Sequence, residues 1–376
     1  MRSCLLLVLM LIFSCAEESE FDPLQAALAS DNRSIQRVMD SLEQYEVQIK
    51  LTTISRSPDS VVFDEFQFQL NDSMYFYPAS SVKFPVAILA LEKLQKDSRL
   101  DLDTPFFVEG DSSFTTMRSD IRDIFAVSSN DTFNRLFEYL GKDSINNRLE
   151  SKDLGKIRIS HRLSTSDAFD LTTRPLIIQI SDSTLFNTEP SINQPIRSLE
   201  LEGITKGRGY YSDDELVLEP MDFSERNYLP VSSLHAIMQR VFFPNKFSAH
   251  KRFDLDSSHM TFLKQSMALY PRDLDYDPVN YYDSYGKFFI YGDSKEPIPD
   301  YIKIYNKVGY AYGYLTDCAY IVDSKQQIEY ILTATIHVNR NRIFNDDAYE
   351  YDEIGIPFLA QLGREIHEYL ILNSNN

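Results

Sequence analysis

The distribution of strand-like segments along the chain is the feature that most restricts its fold. Near the beginning, residues 47–54 and 61–70 alternate apolar and polar side chains, and the polar run between them predicts a turn. Near the end, three further segments are apolar or alternate: residues 301–305, 318–322 and 328–338. Helical patterns lie between the two groups. The sequence therefore predicts an α+β fold in which both chain ends form an antiparallel sheet flanked by helices.

The clearest helical pattern spans residues 82–95, which are amphipathic and rich in Ala, Leu and Lys. Further helices are predicted over residues 22–42, in a mainly helical region up to about residue 149, and over residues 354–372. Residues 157–228 contain only short apolar runs, so no topology is assigned to them. The predicted organisation is a signal peptide (1–14), an acidic tether (15–23), a discontinuous α/β lobe (24–77 and 296–376) and an inserted, mainly helical lobe with an irregular insertion (78–295).

Composition limits the classes of function. With 43% hydrophobic residues, 25 Phe and 23 Tyr, the 376-residue chain is expected to be a packed globular protein. Its formal net charge of −19 argues against binding nucleic acid or adhering to anionic lipids, because both need clustered positive charge. The six histidines have no metal-ligand spacing, and no Gly-rich phosphate loop is present. We therefore expect neither a metal nor an organic cofactor.

The first fifteen residues predict export. Arg2 precedes an apolar run of ten residues (4–13), which is too short to span a bilayer at about 20 residues per helix. The run leads into Ile12-Phe13-Ser14-Cys15, which resembles a lipobox. That resemblance implies that Cys15 is lipidated, and that this anchor holds the protein in the bacterial cell envelope, in the periplasm or at the surface. An ordinary signal peptide is the alternative.

Cys318, in an apolar run, is expected to be buried and unpaired.

Ser80-Ser81-Val82-Lys83 opens the predicted helix at residues 82–95. Helix positions i and i+3 share a face, so the Ser80 hydroxyl and the Lys83 amine can meet. A serine hydroxyl needs a neighbouring base to become a nucleophile, and a lysine serves when burial and nearby positive charge lower its pKa. The same four-residue pattern recurs at residues 248–251 and 284–287, in surroundings that look irregular and polar. We interpret both of these as chance matches.

Three elements in order carry a resemblance to a known family. Residues 78–85, Pro-Ala-Ser-Ser-Val-Lys-Phe-Pro, resemble the nucleophile region of serine β-lactamases and penicillin-binding proteins. Residues 127–130, Val-Ser-Ser-Asn, are similar to the Ser-Asp-Asn element of that family, and Lys307-Val308-Gly309 stands where the family has Lys-Thr/Ser-Gly. The pattern that follows, with Tyr312-Gly313 and Thr316-Asp317, is similar to class A β-lactamases. The resemblance covers most of residues 40–140 and 300–372.

The resemblance implies a role for each matching residue. Ser80 would be the acylated nucleophile, Lys83 its general base and Ser128 the proton relay to the leaving group. The residues expected to bind substrate are Asn130, which holds the substrate amide, Lys307, which supplies positive charge, and Gly309 and Tyr310. The backbone N–H groups of Ser80 and Tyr310 would form the oxyanion hole.

Two departures qualify the substrate assignment. Val308 replaces the usual hydroxyl residue, and no clear Glu-x-x-Leu-Asn is present to position a deacylating water. Asp167 and Asp170 lie at a suitable distance after Ser128, but a surface loop explains them equally well. The leading hypothesis is a serine hydrolase that acts through an acyl-enzyme on a β-lactam, peptide-like or ester substrate. The alternatives are a non-catalytic binding lipoprotein that keeps the fold and a D-Ala-D-Ala peptidase.

Overall fold

The computed structural model describes residues 22–373. Its helices, in chain order, are α1 (Pro23–Leu28), α2 (Arg33–Met39), α3 (Leu42–Tyr45), α4 (Lys83–Leu94), α5 (Met117–Ala126), α6 (Asn130–Leu140), α7 (Lys142–Glu150), α8 (Val231–Phe242), α9 (Ser257–Met267) and α10 (Ile356–Asn373). Its strands are β1 (Gln48–Ser57), β2 (Ser60–Phe68), β3 (Pro105–Val108), β4 (Thr115–Thr116), β5 (Leu176–Ser181), β6 (Thr184–Asn187), β7 (Thr205–Lys206), β8 (Gly209–Ser212), β9 (Glu215–Val217), β10 (Met221–Asp222), β11 (Ile302–Ala311), β12 (Tyr314–Asp323), β13 (Ile328–His337) and β14 (Ile343–Phe344).

A five-stranded antiparallel sheet joins the two ends of the chain, with strand order β11-β12-β13-β1-β2. β1 and β2 form the predicted hairpin, and β1 pairs with β13 across most of its length. The predicted α+β fold, with a sheet built from both chain ends and flanking helices, is confirmed.

The sheet is buried on both faces. Along β12, Cys318 and Tyr320 belong to one hydrophobic cluster, while Ala319 and Ile321 belong to another. Successive side chains of a strand point to opposite faces, so the two clusters lie on opposite sides of the sheet. One cluster includes residues of α4, α6, α8 and α9, and the other includes residues of α1, α2 and α10. Double-sided burial explains the nearly continuous apolar runs of β12 and β13.

The predicted helix over residues 22–42 is interrupted. Asp22 caps α1 by accepting a hydrogen bond from the backbone N–H of Gln25 at 2.8 Å, and Asn32 caps α2 by accepting one from Ser34 at 2.9 Å. Ser, Asp and Asn favour caps and turns because their side chains bond nearby backbone groups. The run Ser30-Asp31-Asn32 therefore ends one helix and begins the next, which the apolar periodicity alone does not reveal.

The middle of the chain contains strands as well as helices. β4, β3, β5 and β6 form a four-stranded sheet, which the predicted mainly helical lobe did not include. These strands have two to six residues, too few for a periodic signal. The division into two lobes stays a prediction. The signal peptide, Cys15 and residues 15–21 of the tether lie outside the described residues. No helix in the described part of the chain is long and apolar enough to cross a membrane.

Candidate active site

Ser80 lies in a 3-10 turn, Ala79–Val82, directly before α4. In a 3-10 helix, side chains at i and i+3 eclipse each other, so Lys83 projects from the same side of the turn as Ser80. Ala79 has φ of 46°, a left-handed conformation that non-glycine residues rarely adopt and that concentrates at functional sites. Ser80 is partly exposed and lines a cleft of about 520 Å³.

The Lys83 amine is fully buried, with an exposed fraction of 0% for the residue. It donates to the carbonyl oxygen of Ser128 at 2.5 Å and to Oδ1 of Asn130 at 2.6 Å, and it lies 3.4 Å from Ser128 Oγ. Among the described residues, no hydrogen bond joins it to Ser80 Oγ. Loss of solvation, reinforced by the charge of Lys307, holds the pKa of Lys83 well below its usual 10.5. The neutral amine needed in a proton acceptor is therefore favoured.

Ser128 connects the two lysines. Its φ of 58° is also left-handed, and it directly precedes Ser129, which caps α6. Lys307 donates to Ser128 Oγ at 2.8 Å and to the carbonyl oxygen of Val308 at 2.7 Å. Burial lowers the pKa of Lys307 to about 7, although the negative charge of Asp317 opposes the shift. Since both amines approach Ser128 Oγ as donors, the Ser128 hydroxyl proton remains available for another acceptor.

Gly309 brings β11 directly against the 3-10 turn that carries Ser80. A Cβ atom at this position would lie 2.4 Å from the carbonyl oxygen of Pro78 and 2.9 Å from the backbone nitrogen of Ser80. Only glycine permits this approach, which carries the next residue, Tyr310, into the cleft. The side chain of Val308 packs into the core with a 3% exposed fraction. Val308 is not among the residues that line the cleft.

The cleft has further walls that no sequence pattern predicted. Ser80, Asn130 and Tyr310 line it together with residues from two other regions, the irregular segment after α7 and the segment that follows β14. The additional lining residues include His161, Ser164, Arg226, Asp347 and the aromatic residues Tyr77, Tyr312, Tyr349 and Tyr351. The site is therefore rich in aromatic rings and has charged groups of both signs.

A buried ion pair holds the segment after residue 161 against α6. Arg162 donates to Glu138 at 2.6 Å, and the two side chains are at most 1% exposed. The same guanidinium donates to the carbonyl oxygens of Asp167 and Asp170. Asn130 donates to Ser164 Oγ at 2.9 Å, which ties the segment to a predicted substrate-binding residue. Neither Asp167 nor Asp170 lines the cleft, so the surface-loop interpretation of these two residues is the one that fits.

Comparison with known proteins shows which fold this chain shares. Residues 32–177 match the model of the beta-lactamase enzyme family. A class A β-lactamase from Bacteroides cellulosilyticus is 14% identical, with 93% of this chain and 99% of that one covered and a TM-score of 0.52. β-Lactamases from Xanthomonas campestris (13% identity, 92% and 97% covered, TM-score 0.53) and Desulfarculus baarsii (12%, 93% and 98%, 0.53) are similar in fold. The chain has the β-lactamase fold. No curated protein sequence matches it.

The resemblance inferred from the sequence is thus confirmed in the fold, and residues 32–177 match the model of the same family. Within this β-lactamase fold, Lys83, Ser128, Asn130 and Lys307 form one hydrogen-bonded group, which connects α4, the start of α6 and β11. Ser80 and Tyr310 share the adjoining cleft. In residues 22–373 of this fold, no group of three or more His, Cys, Asp or Glu side chains has the arrangement of a metal site.

Ser284 and Lys287 lie outside the cleft, as expected for a chance match, but both are buried, with an exposed fraction of 2%. Lys287 donates to Oδ1 of Asn306 at 2.9 Å, and Asn306 donates to Oδ1 of Asp317 at 2.9 Å. Burial lowers the pKa of Lys287 to about 8 and raises that of Asp317 to about 6. Ser284 donates to the carbonyl oxygen of Ser294 instead of facing the cleft. The local sequence does not predict this burial, because the partners Asn306 and Asp317 are distant along the chain.

Proposed function

We propose that this protein is a serine hydrolase that acts through an acyl-enzyme on a β-lactam, peptide-like or ester substrate. Ser80 is the nucleophile in this proposal, and Lys83 is its general base. The observation that carries the proposal is the fully buried Lys83 amine, whose pKa is lowered and which is bonded to Ser128 and Asn130 beside the cleft that Ser80 lines. A buried neutral amine next to a serine hydroxyl is the arrangement that such chemistry requires.

In the first half of the reaction, Lys83 accepts the proton of Ser80, and the Ser80 oxygen attacks the substrate carbonyl carbon. Negative charge then develops on the carbonyl oxygen. Backbone N–H groups of Ser80 and Tyr310 would stabilise it, which is consistent with the close approach of Gly309 to the nucleophile turn. Removing one such donor typically costs about 10²–10³ in rate.

The leaving group needs a proton when its bond to the carbonyl carbon breaks. Ser128 is the proposed donor, because Lys307 donates to its oxygen and leaves the hydroxyl proton free. Lys83 and Lys307 both lie within hydrogen-bonding reach of Ser128 Oγ and can return a proton to it. Ser80 is left as an ester, which water must then hydrolyse.

Arg226 supports a substrate that carries a carboxylate. Its guanidinium lies over the Phe169 ring at 4.9 Å and lines the cleft. Among the described residues it forms no ion pair, so its charge is available to a ligand. A planar guanidinium binds a carboxylate through two parallel hydrogen bonds. Such a contact would take the place of the hydroxyl that Val308 lacks.

The decisive experiment is covalent labelling with a reporter penicillin and with a broader serine-directed acylating probe, followed by mass spectrometry of the modified peptide. We expect an adduct on Ser80 that is lost in Ser80→Ala. Ser248→Ala is the matched control, because Ser248 belongs to a second Ser-x-x-Lys pattern but is exposed. Labelling that persists in Ser80→Ala would exclude Ser80 as the nucleophile.

Labelling and assays of the released products distinguish the alternative functions. A folded wild-type protein that no acylating probe modifies would be a non-catalytic binding protein, the alternative favoured by Val308 and by the missing glutamate element. Release of D-alanine from stem-peptide mimics, without turnover of a chromogenic cephalosporin, would identify a D-Ala-D-Ala peptidase instead.

The location of the protein is a separate part of the proposal. The lipobox-like residues 12–15 support a lipid anchor on Cys15 in the bacterial cell envelope. Cys15→Ser should move the protein from the membrane fraction to the soluble fraction, whereas Cys4→Ser, which changes a cysteine inside the proposed signal peptide, should leave it anchored. Retention of Cys15→Ser in the membrane fraction would contradict the assignment.

A further inference from the structure

His161 is a buried histidine in the wall of the cleft, and the proposed acylation chemistry does not use it. The residue is 2% exposed, yet it lines the same cleft as Ser80. Its Nε2 atom is buried and has no hydrogen-bond partner. Buried polar atoms without a partner are rare, because leaving one unsatisfied costs about 1–3 kcal/mol. Because the residue that carries this atom lines a ligand-sized cleft, we infer that the missing partner is a ligand or a water molecule.

The protonation of the ring follows from its other nitrogen. Nδ1 lies 2.5 Å from the carbonyl oxygen of Arg162. A carbonyl oxygen only accepts hydrogen bonds, so Nδ1 carries the proton and donates it. In the neutral ring, Nε2 then holds a free lone pair. The unpartnered atom of this cleft-lining residue is therefore a hydrogen-bond acceptor and a base.

Aromatic neighbours fix the orientation of the ring. Tyr77 stacks parallel to it, with ring centroids 6.3 Å apart and an angle of 5° between the planes. Phe169 lies against it at 5.0 Å. Tyr77 precedes Ser80 by three residues, so the imidazole packs on the segment that leads into the nucleophile. Such packing holds Nε2 in one position, as a group that must align a reactant requires.

We propose that His161 is the general base of deacylation, with Nε2 holding and deprotonating the water that hydrolyses the Ser80 acyl-enzyme. This inference rests on the proposed function, which supplies the acyl-enzyme. The sequence has no clear Glu-x-x-Leu-Asn element to supply this base, and Asp167 and Asp170 lie outside the cleft.

The step balances with groups that the cleft contains. Nε2 accepts one proton of the water, and the water oxygen forms a bond to the acyl carbonyl carbon. The tetrahedral intermediate collapses, and the ester bond between that carbon and Ser80 Oγ breaks. The proton on His161 passes to Ser80 Oγ, either directly or through the Lys83 and Ser128 groups. The products are a carboxylic acid and the free serine hydroxyl.

The electrostatic surroundings suit this role. Loss of solvation, with the charges of Arg226 and Arg158 nearby, lowers the pKa of His161 to about 4. The ring is therefore neutral at physiological pH, and its basicity is close to that of a glutamate carboxylate, whose pKa is about 4.3 in model peptides. A charged imidazolium there would have lost its lone pair.

The test separates the formation of the acyl-enzyme from its breakdown. Wild type and His161→Gln are each acylated with a reporter penicillin, and the decay of the Ser80 adduct is followed by mass spectrometry. General base catalysis contributes about 10²–10⁴ in rate, so the variant adduct should persist at least about 10²-fold longer. The rate of acylation should change little. Added imidazole should restore decay in His161→Ala, which a purely structural role would not produce.

His367→Gln is the matched control. His367 also has a buried nitrogen without a partner, but it lies on α10 outside the cleft. Its adduct should decay at the wild-type rate. Equal adduct lifetimes in wild type and His161→Gln would overturn the proposal for His161 and leave the proposed function standing. So would equal losses in acylation and deacylation, without rescue by imidazole. A wild type with neither an adduct on Ser80 nor turnover of the reporter penicillin would overturn both.

Discussion

Lys307 on β11 donates a hydrogen bond to the hydroxyl of Ser128, at a distance of 2.8 Å. The bond connects β11 to the start of α6, two parts of the chain that are far apart in sequence. Lys83 approaches the same hydroxyl oxygen at 3.4 Å. Ser128 thus lies between two amines whose pKa values are lowered by burial. We expect proton movement in the site to depend on this three-residue group.

Lys83→Met should reduce the rate of acylation by about 10²–10⁴, because it removes the proposed general base. In wild type, acylation should slow as the pH falls through the lowered pKa of Lys83, since protonation removes its lone pair. Lys93→Met is the control, because Lys93 lies on the same helix and its pKa is also lowered by burial. Stopped-flow labelling across pH checks both points. A Lys83→Met protein that acylates like wild type would contradict the assignment.

Gly309→Ala should damage the site through its backbone. The new methyl group would lie 2.4 Å from the carbonyl oxygen of Pro78, so β11 or the turn that carries Ser80 must move. A displacement near 1 Å can cost about 10² in rate, and we expect at least that loss in acylation together with a lower Tm. At Gly286 the nearest atom to an added Cβ is 3.8 Å away, so Gly286→Ala should be tolerated. Labelling rates and thermal melts of both variants make the comparison.

Arg226→Gln should weaken the binding of substrates that carry a carboxylate, while esters without one should be affected little. We expect KM to rise about 10-fold or more, as for the loss of a charged hydrogen bond, with a smaller change in kcat. Arg99→Gln serves as the control, because Arg99 also covers a phenylalanine ring, Phe186, at 4.6 Å but lies outside the cleft. An equal effect on charged and uncharged substrates would argue against a carboxylate contact.

Lys287 should make stability depend on pH. Its pKa is about 8 in the folded protein and 10.5 in the unfolded chain, so the unfolded state binds more protons between these values. The free energy of unfolding should therefore rise with pH from about 8 towards 10, by up to about 1.4 kcal/mol per pH unit. Lys287→Met should lack this rise in urea denaturation, and the buried tyrosines affect both proteins alike. Parallel pH curves for the two proteins would show that Lys287 does not titrate in this range.

The fold was predictable because its main signals are local. The hairpin of β1 and β2, the helix after Ser80 and the strands near the end each have a periodic pattern within one segment. The α+β architecture follows once those segments are placed in order. The four-stranded sheet of β3 to β6 was missed, because its strands are too short to show a period and their pairing depends on distant partners.

The candidate site was predictable only where a motif marks it. Ser80, Lys83, Ser128 and Lys307 lie in short patterns with a recognisable order. His161 and Arg226 belong to an irregular region, and nothing in their neighbouring residues distinguishes a cleft wall from a surface loop. The burial of Lys287 was missed for a related reason, since Asn306 and Asp317 approach it only in the folded protein.

Gly309 contacts the turn that carries Ser80. This contact restricts which parts of the site can change in sequence. Ser80 rests on the central sheet, so changes to its position would disturb the main scaffold. His161, Arg226 and Tyr349 instead come from connecting segments, where substitutions and insertions are better tolerated. Evolution or a designer can therefore alter these cleft walls while the group formed by Lys83, Ser128 and Lys307 stays constant.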